Sequence, residues 1–89
     1  MYLLSGVSHI VFSVVSERDN RRFLKQLGFK LRSIRLERGW TLEQTEEHGW
    51  VSWRHLQQIE TGRKNITVAS LHQLSRVYKM PMSKILEDL

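Results

Sequence analysis

The chain has 89 residues, 40% of them hydrophobic and 26% charged, with 14 Lys and Arg against 9 Asp and Glu for a formal net charge of +5. That length bounds the chain to one domain with a thin core, and the absence of cysteine excludes disulfides and thiolate metal sites, which suits a reducing, cytoplasmic setting. The excess of cations lies in residues 21–89, with 13 Lys and Arg against 7 Asp and Glu, whereas residues 1–20 hold only Arg18 against Glu17 and Asp19. Such a basic part fits nucleic acid, an acidic protein or an anionic membrane.

Taken in order, Val7 to Val15 (V-S-H-I-V-F-S-V-V) is rich in β-branched residues and gives way to the polar S-E-R-D-N, which predicts a short strand over Val7–Val15. The run falls short of the ~20 apolar residues that span a membrane, and it lacks the basic start and small-residue cleavage site of a signal peptide. An isolated strand leaves backbone N–H and C=O groups unpaired. The segment therefore pairs with its copy in a second subunit or stays a poorly ordered tail, with ordered packing on the parent domain as a third, less favoured arrangement. This divides the chain into residues 1–20, a strand or tail and candidate dimerisation arm, and residues 21–89, the folded domain.

Asp19 or Asn20 is placed to cap a first long helix over residues 21–38, where Leu24, Leu27, Leu31 and Ile34 repeat at three and four to give an apolar stripe. Arg21, Arg22, Lys25, Lys30, Arg32 and Arg38 occupy its other faces, in the plainest reading a solvated basic surface. Gly28 within the pattern permits close packing, and Gly39 is a natural stop. Thr41 with Gln44 three residues on forms a capping box for a second helix. Gly49 breaks that helix, since glycine tolerates positive φ, and Ser52 offers an N-cap for a third. There Leu56 and Ile59 point inward, leaving Trp53, Arg54, Gln57 and Gln58 outward.

A second helix of a pair that exposes Arg and Gln near its start suits the DNA major groove, where Arg pairs with guanine O6/N7 and Gln with adenine N6/N7. The alternative is a set of solvent-facing residues on a small helical domain. Gly62 then ends the third helix, and Arg63, Lys64 and Asn65 make a basic, polar loop, either a phosphate-holding loop or an ordinary connector. Thr67 caps a fourth helix over residues 68–78, with Leu71, Leu74, Val77 and Tyr78 inward. Pro81 opens a last helix running to about Asp88, whose apolar side is Ile85, Leu86 and Leu89. His9, His48, His55 and His72 are scattered without metal-ligand spacing, and there is neither a Gly-rich phosphate loop nor a nucleophile elbow. No metal, cofactor or enzymatic activity is expected.

Leu27 to Leu86 resembles the helix-turn-helix domain of the lambda repressor/Cro type, often called XRE-like. The matching segments are L-G-F-K-L-R-S-I-R-L-E-R-G-W-T, V-S-W-R-H-L-Q-Q-I-E-T-G-R-K-N, L-H-Q-L and the closing I-L, with the spacing from Gly39 to Glu60 and Gly62 of that family. The resemblance implies an all-α, five-helix DNA-binding domain preceded by the short apolar segment. It implies base contacts from Trp53, Arg54 and Gln58, DNA proximity for Ser52, His55 and Gln57, and phosphate contacts from Arg63, Lys64 and Asn65. It further implies a structural ion pair between Arg35 and Glu60.

Departures from the family pattern are informative. One is Trp53 at a base-facing position, where it stacks on a sugar or packs on a thymine methyl, faces a protein partner, or lies over the domain's own surface. Leu42 stands where the family has a phosphate-touching Gln, Thr45-Glu46 where it has Leu-Ala, and Gly49-Trp50 where it has an apolar residue followed by Gly. They predict a rebuilt turn that pivots on Gly49, with Trp50 filling core volume. The expected protein is a small transcription regulator, a repressor or controller that binds double-stranded DNA as a homodimer, with neither a membrane nor a small-molecule ligand as partner. The alternative is a protein-interaction module, such as an antitoxin-like partner, that uses the same fold.

Overall fold

A computed structural model describes the backbone of residues 2–89 and the side chains of residues 17–89. Five helices follow in order, α1 (Tyr2–Glu37), α2 (Leu42–Glu47), α3 (Trp53–Glu60), α4 (Val68–Val77) and α5 (Met82–Ile85), with no strand among the described residues. No helix among the described residues is long and apolar enough to cross a membrane.

The strand expected over Val7–Val15 is instead helical backbone, continuous with the rest of α1. Asp19 and Asn20 consequently lie inside the helix rather than at its N-cap. The physical reason is cooperativity. A helix satisfies its own backbone groups, and adding a residue to an existing helix is far easier than nucleating one. The β-branched penalty is only a few tenths of a kcal/mol per residue, whereas a strand without a neighbour leaves its whole ladder unpaired. The last helix is also shorter than expected: Pro81 is its N-cap, α5 ends at Ile85, and Asp88 has φ 65°.

The core is one cluster in which Leu27, Leu31 and Ile34 of α1 meet Leu56 and Ile59 of α3, Leu71 and Leu74 of α4, Tyr78, Ile85 and Trp50. Trp50 is 3% exposed, so it does fill core volume beside Thr45, which is wholly buried with its hydroxyl donating to the Thr41 carbonyl at 3.1 Å. Burial pushes the Tyr78 phenol well above its ordinary range, so it stays protonated.

α1 crosses the end of α3 at Gly28. A Cβ at that position would come within 2.4 Å of the Ile59 carbonyl oxygen and 2.6 Å of that of Glu60. Only glycine lets the two backbones approach so closely. The stripe read from the sequence thus meets α3 through a site where the side chain must be absent.

Candidate nucleic-acid interface

α3 is fixed at both ends and along one face. At its start the Ser52 hydroxyl accepts the His55 N–H at 3.3 Å, and the Glu46 carboxylate, reaching across from α2, accepts the Trp53 N–H. An anion at a helix N-terminus also meets the positive end of the helix dipole. Glu46, where the family has Ala, therefore fastens α2 to α3 rather than driving them apart. The turn between them pivots on Gly49, which has φ 115°, and the Trp50 N–H closes back onto the Thr45 carbonyl at 3.1 Å.

At the far end, Arg35 holds α3 from α1. Its Nε donates to Glu60 Oε2 at 2.8 Å and its Nη2 to Glu60 Oε1 at 2.9 Å, while Nη1 donates to the Trp40 carbonyl at 2.8 Å. The hydrogen bond to Glu60 raises the Arg35 pKa, outweighing the desolvation that lowers it. Both side chains are buried, with 8% and 4% of their surface exposed, so the pair ties helices together.

With Leu56 and Ile59 buried, α3 turns Arg54, Gln57 and Gln58 fully outward. Trp53 is half-buried, and the Arg54 guanidinium lies over its ring, 5.4 Å from the centroid. That is cation–π range, and it restrains a long flexible side chain at the start of the helix. Ser52 and His55 are half-buried. The His55 ring stacks on core Trp50 with centroids 5.8 Å apart. Arg63, Lys64 and Asn65 are exposed together just past Gly62, where the Arg63 N–H bonds the Gln58 carbonyl at 2.9 Å. The fold therefore leaves two exposed sets on α3 and its exit loop: an Arg/Gln face and a basic loop.

Against known proteins, a family model described as helix-turn-helix matches residues 31–85. The chain belongs to the helix-turn-helix family of the lambda repressor/Cro type. No curated protein and no solved structure matches the chain. In this helix-turn-helix domain, α2 and α3 are the pair that names the family, and the family is one of DNA-binding regulatory domains. Leu42, which replaces the family's phosphate-touching Gln, packs partly buried against the core.

Two residues at the margin of this helix-turn-helix surface were not singled out from the sequence. Glu46 was read only as a departure, because its bond to Trp53 depends on the folded turn. Arg32 is one of the six cations named for the first helix from the sequence, yet with Gln57 and Thr61 it lines a hollow between α1 and α3 that also reaches Arg35 and Glu60. Its spacing of seven from Lys25 was the available signal.

Proposed function

We propose that this protein is a sequence-specific DNA-binding transcription regulator that reads the major groove with α3. The observation that carries the reading is the division of α3 into a buried Leu56/Ile59 face and an exposed Arg54/Gln57/Gln58 face, with Arg54 restrained over Trp53. In this reading Trp53, Arg54 and Gln58 contact bases. Ser52, His55 and Gln57 lie beside them, and Arg63, Lys64 and Asn65 hold phosphates. Arg54 supplies a bidentate donor for guanine and Gln58 an amide for adenine. The Trp53 ring offers an apolar edge to a thymine methyl.

The protein acts in the cytoplasm as a homodimer, a repressor or controller on an inverted-repeat operator whose half-sites lie about one helical turn apart. Residues 1–20 serve as the dimerisation arm of the domain formed by residues 21–89. The deciding experiment is selection of a preferred duplex with the purified protein, followed by Arg54→Ala on that duplex and on random DNA. Arg54→Ala is expected to lose about 1–3 kcal/mol on the preferred site and almost nothing on random sequence. An equal loss on both would reduce Arg54 to a phosphate contact and overturn its role in base reading.

A further inference from the structure

We propose that the outward face of α1 is a second DNA-contacting surface, a track for the sugar–phosphate backbone that extends the footprint of the Arg63–Asn65 loop onto the flank of the bound site. The proposal rests on the DNA-binding reading above and adds a surface that the reading does not use. Arg18, Arg22, Lys25 and Arg32 are spaced by four, three and seven residues, with the exposed Phe29 on the same face between Lys25 and Arg32. At 3.6 residues per turn they fall within about 80° of one another around the helix. Arg21 lies at the edge of that stripe, whereas Glu17 and Asp19 are turned about 100° to either side of Arg18.

Arg18, Arg21, Arg22 and Lys25 are exposed and line one shallow hollow. The ion pairs among the described residues are Arg35–Glu60 and Lys84–Glu87, so no stripe cation is neutralised there. Like charges three and four apart on a helix repel one another. An anion in matching register would relieve that repulsion.

Position identifies that anion as the duplex. A Cβ at Gly62 would fall 2.8 Å from Lys25 Cγ and 3.0 Å from its Cα, so α1 runs hard against the residue from which the basic loop departs. On the other side of this contact, Arg32 shares its hollow with Gln57 of α3 and Thr61 at its C-cap. The stripe thus begins beside the exposed face of α3, passes the loop and continues along α1 to Arg18. Fourteen residues of helix cover about 21 Å, the axial length of about six phosphates on one strand.

The test measures affinity across a salt series on two duplexes that share the selected site, one with short flanks and one with long. Proteins compared are the full chain, the Arg18→Gln/Arg22→Gln/Lys25→Gln variant and the charge-conserving Arg18→Lys/Arg22→Lys/Lys25→Arg variant, each checked for an unchanged melting transition. The full chain is expected to bind the long duplex more tightly and with a steeper salt dependence. The Gln variant is expected to lose that flank advantage and about three units of log–log salt slope, one per cation, with its base preference intact. The charge-conserving variant should keep both. A Gln variant that retains the parental slope and flank advantage overturns the track while leaving base reading by α3 in place. Failure of the full chain to bind any duplex overturns both.

Discussion

At the scale of the residue, Arg35 shows how much of the domain hangs on one planar group. Its guanidinium joins the last turn of α1 to the end of α3 and to the Trp40 carbonyl at the approach to α2, with every donor–acceptor distance at 2.8–2.9 Å. Removing one partner of a buried pair leaves the other charge unpaired in a poor dielectric. Arg35→Ala is therefore expected to cost about 3–5 kcal/mol, a large share of a small domain's stability, read as a lowered denaturant midpoint. Arg35→Lys should recover only part of this, since an ammonium cannot match both carboxylate oxygens in a planar fork. Because the Arg35 pKa is raised, the stability tied to its proton is fully present below the ordinary guanidinium range and is lost only at still more alkaline pH. Spacing alone does not show the pair, whose members are 25 positions apart; it enters only through the family resemblance.

At the scale of the element, what is local was legible and what is cooperative was not. Thr41, Ser52 and Thr67 each cap a helix as read, because a cap needs only residues within one turn. The extent of α1 was misjudged because β-branched composition is a weak preference set against helix propagation. The helix exits illustrate the same physics. Gly62 leaves α3 with φ 75°, while Lys79 leaves α4 in the same left-handed region with φ 53°. A non-glycine residue there is strained, so Lys79→Gly is expected to stabilise the domain by about 0.5–1 kcal/mol despite the extra freedom of an unfolded glycine, seen as a raised melting temperature. Gly28 predicts the opposite. Gly28→Ala would push a methyl against two backbone carbonyls that cannot rotate away. The expected loss is about 1–3 kcal/mol or more, together with separation of α1 from α3 and weaker DNA binding in the same protein.

At the scale of the whole molecule, α1 is longer than the other four helices combined and the long axis measures 54 Å against 23 and 19 Å across. Among the residues whose side chains are described, the core draws on α1 from Leu27 to Ile34. If residues 1–20 are the dimerisation arm, a chain beginning at Arg21 should fold with the same cooperativity and sediment as a monomer. It should bind a short-flanked half-site about as well as the parent, lose only the flank contact assigned to Arg18, and lose its hold on the inverted repeat. A truncated chain that remains dimeric would place the dimer contact elsewhere. The leucine stripe made the core-facing side of α1 readable, and the contact of α1 with α3 came only through the resemblance, as the Arg35–Glu60 pair. The sequence could not show that the basic face of the same helix lies alongside the loop after α3, because that juxtaposition depends on how the helices cross.

The three tryptophans, placed differently by the fold, also give the domain a built-in optical readout. Trp50 is sealed in the core, Trp40 lies flat on His48 with ring centroids 3.9 Å apart where α1 turns into α2, and Trp53 sits half-covered on the outer side of α3 beneath Arg54. Their emission therefore reports separately on core hydration, on the α1–α2 corner and on the proposed reading face. With Phe at the other two positions, Trp53 fluorescence would follow occupancy of α3 without a label, and Trp50 fluorescence would show whether the core stays closed meanwhile.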